Sequence, residues 1–187
     1  SDGEYIYLAI DNRLIIARAY PPKEARIVCE LKLEGTERVA KRCFLFEQFV
    51  EELLSHEPQA LRFKVKAANV VIHAHCHAKA LTDPAHLRRL AERLPERNVT
   101  LLDTGCCGMA GAFGATDSKY ELSVTVAKGL IDQIQRQPSG TTVVASGTSC
   151  RQQIAHLSST RPRHMAEVLA EALLPAGEPC GTLPGNR

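Results

Sequence analysis

The sequence contains no tryptophan, few other aromatic residues and no excess of charge of either sign. Aromatic residues make up 5% of its 187 residues, and 23 Lys and Arg against 21 Asp and Glu leave a net charge of +2. The basic residues are spread along the chain rather than gathered in a stretch with interleaved aromatics. Because nucleic-acid binding depends on basic patches and stacking side chains, no nucleic-acid partner is expected.

The sequence also lacks any apolar run near the roughly 20 residues that a membrane-spanning helix needs, and it shows no secretory signal. Hydrophobic residues make up 44% and charged residues 24%, which is typical of a globular domain. A chain of this length buries a sizeable core without disulfides or metals as staples. We therefore expect a cytoplasmic protein that would reach the inner membrane only peripherally, through partners.

Seven cysteines are the unusual feature of the composition. They are too few for a dense disulfide scaffold, their odd number leaves one unpaired, and an adjacent pair, Cys106 and Cys107, suits structural disulfides poorly. In a reducing compartment, clustered cysteines indicate metal or redox chemistry. We expect Cys29 and Cys43 to be packing residues and Cys180 to be incidental.

Apolar periodicity after residue 66 predicts alternating strands and helices. The predicted strands are 69–74, 99–102 and 141–145, and the predicted helices are 84–94, 118–135, 149–157 and 164–174. Leu122, Val126, Leu130 and Ile134 are expected on the buried face of the long helix. This alternation is typical of βαβ units, so we predict an α/β domain over 67–174, with three layers around a parallel sheet.

The flanking segments have a less regular pattern. Residues 5–20 fit either a hairpin or a strand that enters a helix, residues 26–33 fit a strand, and residues 36–54 fit an amphipathic helix. We expect the N-terminal segment, 1–66, to pack on the same domain. We expect the tail, 175–187, to be loose.

Four cysteines follow the three predicted strands. They are Cys76, Cys106, Cys107 and Cys150. Because the carboxyl ends of parallel strands share one edge, and open α/β sheets bind their ligands at that edge, the four thiols are expected to converge there.

The residues around these cysteines favour thiolate chemistry. Helix N-termini stabilise thiolates, and Lys79 and Arg151 add positive charge nearby. Gly105 and Gly108 flank the Cys106–Cys107 pair and allow a sharp turn that aims both sulfurs at one place. Gly111 and Gly114 would permit close approach of a cofactor or another backbone.

The histidines leave two alternatives open. His73, His75 and His77 alternate, so an extended strand would place them on one face as a zinc site, with or without one cysteine, suited to hydrolysis. If the strand ends near residue 74, His75 and His77 instead enter the loop as hydrogen-bond donors to sulfur. A nucleophilic Cys107 activated by a histidine is a further alternative, although no third orienting residue is evident.

Four stretches carry a resemblance to a known family. They are HAHCHAKA at 73–80, GCCGMAGAFG at 105–114, ASGTSCRQQI at 145–154 and HMAEVL at 164–169. Over roughly 68–172 the chain resembles the cysteine-rich CCG domain family, which occurs in heterodisulfide reductase and in the iron–sulfur subunits of glycolate and glycerol-3-phosphate oxidising systems. It is most similar to the C-terminal part of FAD-linked oxidases such as D-2-hydroxyglutarate dehydrogenases.

The resemblance implies an iron–sulfur cluster on the four cysteines. Gly147 stands where the family has the first cysteine of Cys-x-x-Cys, which leaves four ligands instead of five. Four thiolates suffice for a 4Fe–4S cubane cluster.

The resemblance also implies an electron-transfer module of an enzyme that oxidises 2-hydroxy acids such as glycolate, lactate or D-2-hydroxyglutarate. The expected partners are flavin-binding and ferredoxin-like domains or subunits, and a second CCG domain or a second copy of this chain. FAD is expected only on another domain, since no Gly-x-Gly-x-x-Gly loop is present. The alternative is a cluster-free or zinc-binding structural or docking domain of such a complex.

Overall fold

The computed structural model describes residues 5–10, 13–18, 26–32 and 42–175. The chain divides into two compact units, residues 1–44 and 45–187. In the first unit, β1 (Tyr5–Ile10), β2 (Arg13–Arg18) and β3 (Arg26–Lys32) form an antiparallel sheet in that order. Residues 5–20 therefore contain a hairpin, and the strand predicted at 26–33 is confirmed. The Cys29 side chain and Cys180 lie outside the described residues.

The second unit is an α/β domain with a parallel three-stranded sheet in the order β5-β4-β6, which confirms the predicted fold class. Its strands are β4 (Ala68–His73), β5 (Arg97–Leu101) and β6 (Thr142–Ala145). Its helices are α1 (Phe46–His56), α2 (Cys76–Leu81), α3 (Ala85–Glu92), α4 (Tyr120–Gln135), α5 (Thr148–Leu157) and α6 (Met165–Ala172). Two 3-10 turns, Phe113–Ala115 and Asp117–Lys119, precede α4.

Buried side chains pack on both faces of this sheet. One cluster joins Ile72 of β4 to residues of α1, α3 and α6, and the other joins Val71 of β4 to residues of α4 and α5. Successive strand residues point to opposite faces, so the central strand contributes to both clusters. Helices on both sides of the sheet give the domain its three layers.

The helix predicted at 36–54 is wrong in its extent. The described helix α1 begins at Phe46, after an extended residue at Leu45, and ends at His56. Glu47 lies in its first turn, where a carboxylate suits the helix dipole. Cys43 precedes the helix and is exposed, so the expectation that it packs in the core is also wrong.

Helix α4 forms where it was predicted, but it buries a different face. Leu122 and Val126 are 54% and 45% exposed, whereas Leu130 and Ile134 are buried as expected. The buried face begins at Ser123 instead. A small residue is needed there because the glycine loop after β5 runs directly against it, as described below.

Candidate functional site

Four cysteines lie at the carboxyl edge of the parallel sheet, on three separate connections. Cys76 begins α2 after β4, Cys106 and Cys107 lie in the loop after β5, and Cys150 lies in the first turn of α5 after β6. Cys107 and Cys150 are buried, and Cys76 and Cys106 are partly exposed. We refer to these four residues as the thiol cluster.

The sulfurs of the thiol cluster interact across the three connections. Cys150 is the neighbour that most strongly lowers the pKa of Cys107, and Cys76 is among the neighbours that raise the pKa of Cys106. Cys150 also experiences the charges of Cys76 and Cys106. Residues separated by up to 74 positions in sequence are thus brought together by the parallel order of the strands.

The pKa values of three thiols in the cluster are shifted in different directions. A hydrogen bond from Cys150 lowers the pKa of Cys107 to about 4, against the opposing effect of burial, with further help from His73 and the Met109 N–H. The same hydrogen bond raises the pKa of Cys150. Burial raises the pKa of Cys106, although the Gly108 N–H donates to its sulfur at 3.3 Å. The interaction between the two sulfurs therefore favours the thiolate form at Cys107 and the thiol form at Cys150.

His73, the last residue of β4, lies beside Cys107. Its side chain is buried, and Nδ1 is 2.8 Å from Oγ1 of Thr104. Nε2 is buried and makes no hydrogen bond of normal geometry to any described residue. The sequence predicted His73 only as a zinc ligand and not among the residues that support the cysteines. The end of β4 at this same sheet edge was the signal that could have identified it.

His75 and His77 do not continue a strand face, because β4 ends at His73. His75 is the N-cap of α2, and its Nδ1 accepts from the His77 N–H at 3.3 Å. The two rings meet edge to face, with centroids 5.0 Å apart. Burial, followed by the charge of His77, lowers the pKa of His75. The face of three histidines on which the hydrolytic zinc hypothesis relied is therefore absent, and donation by His75 and His77 to sulfur remains a prediction.

Lys79 and Arg151 donate hydrogen bonds to backbone carbonyl oxygens near the carboxyl ends of the strands. The Lys79 ammonium donates to the carbonyl oxygen of Thr104, just before Cys106. The Arg151 guanidinium donates to the carbonyl oxygens of Ala145 and Ser146 at 3.0 and 2.6 Å. Both cations therefore fix the backbone beside the thiol cluster, and their predicted effect on the thiolates stays a prediction.

Two glycines allow the Cys106–Cys107 loop to pack closely against α4. Gly108 has φ +88°, and a Cβ there would lie 2.2 Å from the backbone oxygen of Ser123. A Cβ at Gly114 would lie 2.4 Å from Ser123 Oγ. At Gly105 and Gly111, by contrast, a Cβ would meet nothing within 4 Å. Gly108 and Gly114 thus allow close approach of helix α4 to the loop.

A third glycine, Gly147, lies against the cluster itself. A Cβ at this position would lie 2.5 Å from Cδ2 of His75 and 3.1 Å from Sγ of Cys150. The His75 ring therefore occupies the space beside Cys150 into which a side chain at position 147 would project. A cysteine at this position would need His75 to move.

The donor chemistry of the thiol cluster fits an iron–sulfur cluster, whose iron is held by thiolate sulfur. Two of the four cysteines are buried, and the pKa of one of them, Cys107, is lowered. In the described part of the chain, no group of three or more His, Cys, Asp or Glu is placed to hold a metal ion directly.

None of the described helices has the length and apolar character needed to cross a membrane. The cytoplasmic location and the peripheral membrane association remain predictions.

The chain is similar to parts of two longer dehydrogenases. It is 31% identical over 117 residues to one subunit of the anaerobic glycerol-3-phosphate dehydrogenase of Escherichia coli strain K12, covering 63% of this chain and 29% of that protein. It is 27% identical over 155 residues to D-2-hydroxyglutarate dehydrogenase of the same strain, covering 80% of this chain and 15% of that protein. The chain thus spans less than a third of the length of either relative.

No protein-family model and no solved structure matches the chain. The similarity to the two dehydrogenases supports the resemblance at the level of oxidoreductase components, while the CCG assignment itself and the iron–sulfur cofactor stay predictions. The chain is therefore related to components of dehydrogenases.

Proposed function

We propose that this chain is an electron-transfer module of an oxidoreductase, in which the thiol cluster holds a 4Fe–4S cluster. The observation that carries the proposal is the meeting of four thiols from three connections at the carboxyl edge of the sheet. Packing alone gives a poor account of this arrangement, because Cys106 and Cys76 are partly exposed and only Cys107 and Cys150 belong to the core.

When bound, an iron–sulfur cluster supplies a centre that accepts and releases single electrons. The protein residues supply its environment. Cys107 and Cys150 lie in the apolar cluster formed with α4 and α5, which keeps water from their sulfurs. Cys76 and Cys106 lie on the exposed side, which is the side from which a partner would exchange electrons.

The similarity to dehydrogenase segments supports a role beside other domains or subunits. One relative is by name a subunit, and the chain covers only 15% of the other. In both relatives, most of the protein therefore lies outside the part that resembles this chain. We infer that flavin-binding and ferredoxin-like parts lie on those partners and that FAD does not bind this chain. A 2-hydroxy acid or a glycerol phosphate would be oxidised there.

The test is anaerobic reconstitution with iron and sulfide, followed by iron, sulfide and zinc analysis and by absorption and electron paramagnetic resonance spectra. We expect wild type to bind four iron and four sulfide per chain. Cys107→Ser should lose the cluster, because an alcohol replaces the buried thiolate. Cys43→Ser is the matched control, since Cys43 is exposed and lies outside the thiol cluster. Equal loading of the two variants would contradict the proposal, and so would an absence of sulfide from anaerobically prepared wild type.

A second candidate is a docking domain that holds zinc or no metal. Apolar side chains that are exposed beside the glycine loop and along α4 favour it, since such patches mark interaction surfaces. These side chains are Phe113, Tyr120, Leu122 and Val126. Zinc binding without sulfide in the same analysis would select this candidate.

A further inference from the structure

One polar atom beside the thiol cluster has no partner, although it is buried. His73 is 2% exposed, and its Nε2 makes no hydrogen bond of normal geometry to the residues that the structure describes. Buried polar atoms in folded proteins nearly always have a partner, so an unpaired nitrogen needs an explanation. Cys107, which is 3% exposed, is the polar neighbour of this ring within the cluster.

The other ring nitrogen is held by Thr104. Nδ1 lies 2.8 Å from Thr104 Oγ1, and Thr104 is itself 8% exposed. Its carbonyl oxygen accepts from the Lys79 ammonium, which anchors this residue just before the Cys106–Cys107 pair. A neutral imidazole carries one N–H, so a Thr104 hydroxyl that donates to Nδ1 places the proton on Nε2.

We propose that His73 is a positioning residue of the thiol cluster, which donates a hydrogen bond from Nε2–H to the Cys107 sulfur in the tautomer that Thr104 selects. The inference rests on the proposed function, since this hydrogen bond is expected to form fully when Cys107 is a cluster ligand. Hydrogen bonds at functional sites are often long or poorly aligned until the ligand is bound, so the lack of a normal hydrogen bond at Nε2 is compatible with this role.

The hydrogen bond has a redox consequence. A donor to a ligand sulfur stabilises the more negative, reduced form of an iron–sulfur cluster, and hydrogen bonds to the sulfurs are among the factors that set its potential. His73 should therefore raise the reduction potential of the cluster. Thr104 should contribute to the same effect without touching the cluster, because it fixes the tautomer.

The first test uses the cluster-free full-length chain, labelled with ¹⁵N on histidine, at a pH above the ordinary pKa of imidazole. Long-range proton–nitrogen correlation spectra distinguish the two neutral tautomers. We expect Nε2–H for His73 in wild type and in Thr104→Ser, which keeps the hydroxyl. Thr104→Val removes the hydroxyl at nearly constant volume and should give a mixture. An Nδ1–H tautomer in wild type would overturn the proposal.

The second test measures the midpoint potential of the reconstituted protein. We expect His73→Leu to shift the potential to more negative values, and Thr104→Val to shift it less in the same direction. His73→Gln, which keeps an N–H donor at a similar reach, should restore part of the shift. Unchanged potentials in both His73→Leu and Thr104→Val, with the cluster intact, would overturn the role of His73 and leave the electron-transfer proposal standing.

The two proposals therefore fail in different ways. If wild type binds no iron and sulfide, the electron-transfer proposal fails, and the tautomer of His73 in the cluster-free chain still decides whether Thr104 selects the Nε2–H form. If His73→Leu does not fold, the test uses Thr104→Val and Thr104→Ser instead. Only the first of these variants removes the hydroxyl, so a difference in midpoint potential between them measures its effect.

Discussion

At the scale of single residues, the site depends on a glycine without a side chain as well as on the cysteines. Gly147 leaves the space that the His75 ring fills beside Cys150. Sequence reasoning treated this glycine as a lost ligand. The structure adds a steric reason for the glycine, because His75 and a side chain at position 147 compete for one space.

We predict that Gly147→Ala destabilises the protein by about 1–3 kcal/mol, the usual cost of overpacking. A Cβ there would lie 2.5 Å from the His75 ring, so the ring must shift. The cost should shrink when His75→Ala is present, which makes the two changes non-additive. Denaturant unfolding of the two single variants and the double variant measures this coupling.

Gly105→Ala is the matched control, since its Cβ would meet nothing within 4 Å. It should alter the free energy of unfolding far less than Gly147→Ala. Strict additivity of Gly147→Ala and His75→Ala would show that the His75 ring is not the obstacle.

At the scale of secondary-structure elements, the loop after β5 is held by its packing on α4. Gly108 and Gly111 both have φ in the left-handed region, +88° and +74°. Of these two glycines, Gly108 lies against Ser123 of the helix and Gly111 does not. The two glycines therefore share a backbone requirement and differ in packing.

We predict that Gly111→Ala costs about 1–2 kcal/mol, the strain of a side chain in a left-handed conformation. Gly108→Ala should cost clearly more, because its Cβ would also lie 2.2 Å from the Ser123 backbone oxygen. Reactivity of the cluster thiols toward a maleimide should rise in Gly108→Ala as the loop lifts from α4. Equal stabilities of the two variants would contradict the packing argument.

Helices α1 and α3 are joined by a half-buried carboxylate. Glu51 accepts from Ser55 at 2.9 Å and lies 3.3 Å from Nη2 of Arg93 and 3.6 Å from Nε of Arg89. Burial opposes ionisation of Glu51, but the hydrogen bonds and the two guanidinium charges outweigh it and lower the pKa of the carboxyl. The ionised form is therefore favoured by folding.

We predict that Glu51→Gln lowers the free energy of unfolding at neutral pH by about 1 kcal/mol. Because the folded-state pKa is depressed, this contribution is fully present above the ordinary carboxyl pKa and is lost as the pH falls through the lower, folded-state value. The difference from wild type should shrink in that acid range. Chemical unfolding across pH measures it, with the exposed Glu52→Gln as control. A difference that does not vary with pH would contradict the ion-pair explanation.

The order of the elements was largely predictable from sequence, because apolar runs and breakers such as Pro84 mark β4, β5, β6 and the helices between them. The start of α1 and the buried face of α4 were not predictable in this way. The buried face of α4 depends on tertiary packing, since the glycine loop lies against Ser123.

At the scale of the whole molecule, the meeting of four thiols followed from topology, whereas the details of the site did not. Parallel strands place their carboxyl ends together, so the strand assignments alone brought the cysteines to one edge. The pairing of Cys107 with Cys150 and the approach of His73 depend on side-chain directions that periodicity does not encode. Sequence therefore predicted which cysteines lie at this edge and missed the influence of His73 on Cys107.

The division of the chain into two units leads to a prediction about the whole molecule. The parallel sheet, both apolar clusters and the entire thiol cluster lie within residues 45–187. We therefore expect a chain of residues 45–187 to fold cooperatively on its own, because each buried face of the sheet is covered by helices of the same unit. Circular dichroism and thermal unfolding of this shortened chain beside the full chain test the expectation.

The same shortened chain should load iron and sulfide in the ratio found for the full chain, since all four proposed ligands lie after residue 45. Loss of cooperative unfolding on truncation would show instead that the first unit supplies part of the core, as expected if residues 1–66 pack on the same domain. Retained folding with lost loading would contradict the assignment of all four proposed ligands to residues 45–187.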